Sequence, residues 1–149
     1  VPAIIRYPSV LPKNEARHHW ANSIDWMPTL ADLTDINIPA SQKIDGKSLL
    51  PLILDAKVPS PHKTMFWGTG NPKNKKHAWA VRKGPWKLLG NPNDPTGKLT
   101  FTETDKLYLT NIEMDSTEHQ NLGQKYPEKV EELSKMYENW INIIKNEKL

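Results

Sequence analysis

The chain has 149 residues, enough for one ordinary domain, or a small domain joined to a piece of another. With 37% apolar residues, 25% charged residues and a net charge of +3 it reads as a packed core with long loops rather than a disordered chain, and no apolar run approaches the roughly 18 residues of a spanning helix. Cysteine is absent, which excludes a disulfide frame, a thiolate zinc site and a cysteine nucleophile.

In chain order, Pro2–Pro8 reads as a short buried strand, stopped by Pro8 and again by Pro12. The opening Val1-Pro2-Ala3, without an initiator Met or a leader, is expected to start inside a larger fold. A helix follows. Ser23 or Asp25 can cap it, and Pro28 then falls in its first turn, where the missing N–H costs nothing. Met27, Leu30 and Leu33, with Trp26, are its expected apolar face. Asp35–Pro39 ends the helix, and Asp45-Gly46 marks a turn before the apolar segment Ser48–Leu54. Val58-Pro59-Ser60-Pro61 is a linker by composition, dividing the chain into parts 1–58 and 59–149.

Beyond the linker the pattern changes to short strands. Thr64–Trp67, His77–Arg82, Trp86–Leu89 and Leu107–Leu109 are aromatic or β-branched runs separated by turn residues, and Gly84-Pro85 joins two of them as a hairpin. The last element is a long amphipathic helix. Pro127 suits its first position, Glu128, Glu131 and Glu132 lie near its positive end, and Lys145 and Lys148 near its negative end. Val130, Leu133, Tyr137, Trp140, Ile141 and Ile144 form one stripe that must bury against the sheet. The second part is therefore α+β, a small antiparallel sheet packed by a long C-terminal helix.

Charge is unevenly distributed. From Ala56 to Asn93 there is no Asp or Glu, whereas Lys57, Lys63, Lys73, Lys75, Lys76, Arg82, Lys83 and Lys87 are all cationic. Such a stretch is expected to attract an anion. Lys73, Lys75, Lys76 and His77, at a loop–strand junction, are the candidate substrate-binding residues. No constellation for catalysis accompanies them. HExxH and GxSxG do not occur, Gly68-Thr69-Gly70 lacks the rest of a dinucleotide or phosphate loop, and His18-His19 has no third ligand at a metal-binding interval. His62 is better explained by a structural hydrogen bond than by catalysis.

Several segments match a known family in order. Val1-Pro2-Ala3-Ile4-Ile5-Arg6-Tyr7-Pro8, Ser23-Ile24-Asp25-Trp26-Met27-Pro28-Thr29-Leu30 and Asp45-Gly46-Lys47-Ser48-Leu49-Leu50-Pro51-Leu52 resemble successive segments of the type I, formylglycine-dependent sulfatases of the alkaline phosphatase-like superfamily. Met65-Phe66-Trp67, Ala80-Val81-Arg82-Lys83-Gly84-Pro85-Trp86-Lys87-Leu88, Leu107-Tyr108-Leu109 and the Asp115, Glu118, Asn121-Leu122 group continue the likeness. The resemblance implies that residues 1–58 are a strand and helix from the end of the large α/β domain and that 59–149 are the complete C-terminal subdomain.

It also implies a parent enzyme that hydrolyses sulfate esters, of a sulfated glycan or an aryl sulfate, using calcium and a formylglycine. Neither group is expected in this chain, because the Cys/Ser-x-Pro-x-Arg segment and the metal cluster precede these residues in the family. The fragment is expected to be inactive alone, to lack catalytic and metal residues, and to partner the missing N-terminal part of the same enzyme. Nucleic acid and membrane are not expected partners, and the family suggests a periplasmic or secreted location. Two alternatives from the residues alone are a carbohydrate-binding module with Trp67, Trp79 and Trp86 as a flat platform, and a single-strand nucleic-acid module using the same aromatic–basic interleaving.

Overall fold

The computed structural model describes residues 2–71, 74, 76–93 and 105–146. Contacts group the chain into two units, residues 1–62 and residues 63–149.

In the first unit the proline-flanked segment 2–8 is not a strand. It has no ladder partner among the described residues, and Ile4 is 95% exposed. A single 3-10 turn, Ser23–Asp25, leads into α1, Trp26–Leu33. The face α1 buries differs from the expected one: Asp25, Thr29 and Ala31 are buried, while Met27 and Leu30 lie in solvent. The reason is local. The extended segment 43–49 has no sheet of its own, so side chains of the α1 region satisfy its backbone. Asp25 Oδ1 accepts from Lys47 N–H at 2.9 Å, and Thr29 Oγ1 accepts from Leu49 N–H at 2.9 Å while donating to Asp25 O. Asp25 Oδ2 accepts from Asn22 N–H at 2.7 Å and meets His62 Nε2 at 2.8 Å, the structural hydrogen bond expected of that histidine.

Asp45-Gly46 is a close approach rather than a turn. A Cβ at Gly46 would stand 2.0 Å from Ile24 O, so only glycine lets the segment pass the start of α1. The segment ends in α2, Leu50–Leu54, a single short helix. Arg17 caps its open carbonyls, donating from Nη2 to Ile53 O at 2.7 Å and from Nε to Leu52 O at 2.9 Å.

The second unit is an antiparallel meander in which β1, Thr64–Gly68, β2, Trp79–Lys83, β3, Trp86–Gly90, and β4, Leu107–Asn111, lie side by side in chain order. Lys83 pairs with Trp86 across a two-residue turn whose first residue, Gly84, has φ +57°, as such a hairpin requires. The register aligns Phe66, Val81, Leu88 and Leu109 on one face. Helix α3, Pro127–Asn146, lays Leu133, Tyr137 and Ile141 onto that face, closing a core with Val81, Leu88, Leu109 and Leu122. Trp140 stacks on Phe66 with ring centres 5.1 Å apart, and Trp79 stacks on Tyr137 at 3.9 Å. The α+β architecture expected of this part is the one found.

Candidate functional site

Between β1 and β2 the chain makes the loop that carries the cluster of lysines. Both ends of the loop are tied. At its start Thr69 N–H donates to Ala78 O at 2.9 Å, and Gly70 takes φ +73° to turn the chain away from the sheet. At its end Asn74 acts as a hub: its side-chain oxygen accepts from Lys76 N–H at 2.9 Å, and its carbonyl accepts from His77 N–H at 3.1 Å and from the His77 ring Nδ1 at 2.6 Å. Asn91 on the far side of β2 donates to His77 O at 3.0 Å.

His77 is half-buried, and both of its ring nitrogens are engaged. With Nδ1 donating to Asn74 O, Nε2 is left as the acceptor for the Tyr137 hydroxyl of α3. Burial pushes the Tyr137 phenol above its ordinary pKa, which keeps it a donor. His77 thus pins the loop to the helix. Lys76, next to it, is exposed. Lys73 and Lys75 lie outside the described residues. Asn74 and Tyr137, which hold this loop end, carry no motif that marks them in the sequence.

The electropositive stretch is partly neutralised by distant acids. Lys83 Nζ lies 2.6 Å from Glu132 and Lys87 Nζ lies 2.7 Å from Glu118. Two of the cations that stand without acidic neighbours in the sequence therefore meet acids brought in by α3 and by the loop after β4. The flat aromatic platform does not form either. Strand parity sends Trp79 to the helix face, where it stacks on Tyr137, and Trp86 packs edge-on against Tyr126, whereas Trp67 lies on the opposite face, in the row with Ala80 and Leu89.

The cofactor groups implied by the family resemblance do not fit these residues. The sequence holds neither cysteine nor Ser-x-Pro-x-Arg for a formylglycine. Among the described residues no group of three His, Asp or Glu is placed to hold a metal ion, and no helix is long and apolar enough to cross a membrane.

Comparison with known proteins gives a consistent picture. A family model described as N-sulphoglucosamine sulphohydrolase, C-terminal, matches residues 1–142. The chain is 46% identical over 48 residues to the protein named uncharacterized sulfatase YdeN of Escherichia coli (strain K12), covering 32% of this chain and 9% of that protein. It is 32% identical over 66 residues to steryl-sulfatase of Rattus norvegicus, covering 44% of this chain and 11% of the relative. The solved structure of BT4656 in complex with its substrate D-glucosamine-2-N,6-O-disulfate superposes with a TM-score of 0.68 at 22% identity, covering 91% of this chain and 27% of that one, a likeness of fold. The chain therefore spans 9% to 11% of these curated relatives and 27% of that structure.

Proposed function

Because the chain belongs to the N-sulphoglucosamine sulphohydrolase C-terminal family, we propose that it is the C-terminal part of a sulfatase, a sulfuric ester hydrolase acting on a sulfated carbohydrate. The match over residues 1–142 carries this reading. The names of the relatives support the reaction class, and the glucosamine disulfate bound by a neighbour of the same fold supports the substrate class. On this reading residues 1–58 close the large alkaline phosphatase-like domain and 59–149 form the C-terminal subdomain. The exposed Ile4, Met27, Leu30 and Ile36 support that assignment, since a solitary small unit rarely leaves so much apolar surface in water. The rest of the enzyme would then supply the formylglycine, the calcium and the covalent step.

This chain's own share is substrate binding at the pocket rim. Lys73, Lys75 and Lys76 would meet sulfate groups of the glycan, with His77 positioning the end of the loop. Such contacts act alike on ground and transition states, so their loss appears in KM rather than kcat. At roughly 0.2–1 kcal/mol per exposed ionic contact, the triple Ala variant of these lysines in the full-length enzyme should lose a few-fold to tens-fold in affinity for a sulfated oligosaccharide. The loss should shrink as salt rises, and a small aryl sulfate should be almost unaffected.

The test is kcat and KM for both substrates at two ionic strengths, with the 149-residue chain assayed alongside. The chain alone should release no sulfate. Turnover of an aryl sulfate by the pure chain, without calcium, would overturn the reading, and a collapse of kcat on the small substrate would move the lysines into the reaction centre.

A further inference from the structure

The sheet face turned away from α3 carries two adjoining hollows, of about 350 and 440 Å³, which share Trp67, Ala80, Lys87, Leu89 and Glu118 in their walls. Both volumes fall within the range of small-molecule sites. The register explains the depression: Ala80, the smallest side chain of its row, stands between Trp67 on the edge strand and Leu89. Trp67 is 40% exposed. One wall is thus a broad indole beside the gap that the small Ala80 leaves.

The other wall is polar and fixed. Both carboxylate oxygens of Glu118 meet Lys87 Nζ, at 2.8 and 2.7 Å, with neither side chain fully covered. Glu118 itself sits in the left-handed region at φ +57°, an uncommon conformation for a residue with a long side chain. Two anchors hold it there. The Tyr108 hydroxyl donates to Glu118 O at 3.2 Å, and Asp115 closes the preceding turn by accepting from Thr117 Oγ1 and Gln120 N–H. After the Lys87 contacts, the carboxylate keeps lone pairs and the ammonium keeps a proton for a ligand. Charge is balanced across this face, because Glu113 and Glu118 lie within electrostatic reach of Arg82 and Glu118 pairs with Lys87.

We propose that this face is a saccharide subsite that takes an unsulfated sugar ring, stacked on Trp67 with its hydroxyls bonded by the Glu118–Lys87 pair. A sugar presents an apolar C–H face and a rim of hydroxyls, which is the chemistry that an indole beside a fixed carboxylate–ammonium pair satisfies. A sulfated ring would find the Lys87 charge already neutralised by Glu118 and a repelling carboxylate beside it. The inference rests on the sulfatase reading only in placing the subsite on a glycan-processing enzyme. The stacking and the hydrogen bonds are properties of this chain.

The test follows the indole Nε1–H resonance of Trp67 in the isotope-labelled 149-residue chain while N,N′-diacetylchitobiose is added, with inorganic sulfate as a second titrant. A saturable shift with a Kd on the order of 1 mM is expected for the sugar, insensitive to added salt. Trp67→Ala, followed through the Lys87 and Thr117 amides, should weaken it at least ~tenfold, and Trp67→Phe should recover part of the loss. Glu118→Gln should weaken it at least ~threefold, with backbone shifts elsewhere in the sheet unchanged.

No saturable shift with the sugar, a shift with sulfate alone, or equal affinity in Trp67→Ala would each overturn the subsite. Any of these can occur while the full-length protein still releases sulfate. Conversely, binding can hold in a protein that does not, so the two readings fail separately.

Discussion

Trp79 pairs across the sheet with Gly68 on one side and Gly90 on the other, yet only one of these glycines has to lack a side chain. A Cβ at Gly90 would fall 1.9 Å from the Trp79 ring, which cannot retreat because its other face is stacked on Tyr137. A Cβ at Gly68 would meet nothing within 4 Å. Gly90→Ala should therefore destabilise the second unit by about 1–3 kcal/mol, the usual range for overpacking. Gly68→Ala should stay within about 0.5 kcal/mol of the native chain. Thermal unfolding with near-ultraviolet circular dichroism, which reports the tryptophan environment, checks both. Equal effects would mean that the indole yields.

At the scale of elements, α3 is bound to the sheet by its apolar stripe and by one charged triad. Glu132 receives Lys83 from the end of β2 at 2.6 Å and Lys129 from the preceding turn of α3 at 2.8 Å. These two hydrogen-bonded cations hold its carboxyl down at about 2, well below the ordinary 4.5. A carboxyl depressed by folding stabilises the native state fully above its unfolded pKa, and that contribution fades as pH falls from about 4.5 toward 2. Being partly exposed, the triad is worth no more than about 1 kcal/mol. Glu132→Gln should lower Tm slightly at neutral pH, by an amount that vanishes in acid and shrinks in high salt. A gap that stays constant from pH 7 down to 2 would contradict the assignment.

The strands and α3 were readable from sequence because their periods of two and of about 3.6 are short-range patterns that burial in the same unit enforces. The face of α1 was not. Hydrophobic periodicity pointed to Met27 and Leu30, but Asp25 and Thr29 turn inward to satisfy the backbone of residues 47–49, a demand that arises only in three dimensions. Strand parity likewise sets Trp67 on the face opposite Trp79 and Trp86, so the flat platform of a binding module does not form, while the alternating pattern places Trp86 in packing, as found. Within the candidate loop the lysines and His77 stood out in the sequence, whereas Asn74 and Tyr137, which fix its end, gave no signal.

For the whole molecule, the two units should differ in protection. The first is joined by side-chain bonds to an extended backbone and leaves large apolar groups in solvent, while the second has a continuous sheet under a helix. Amide hydrogen exchange should be fast before Pro59 and slowest in Pro127–Lys145. Uniform protection along the chain would instead mark the first unit as self-sufficient. The meander of the second unit has one more consequence, for the order in which it assembles. Each strand pairs with the one before it, so loop closure is short at Gly84-Pro85 and grows only logarithmically for the longer link from Gly90 to Leu107. A sheet of such low contact order zips up locally and rapidly, and α3, which follows the sheet in the chain, condenses onto a template that already exists. Substitutions in the Lys83–Trp86 hairpin should then slow refolding, whereas those at Ile141 should mainly hasten unfolding.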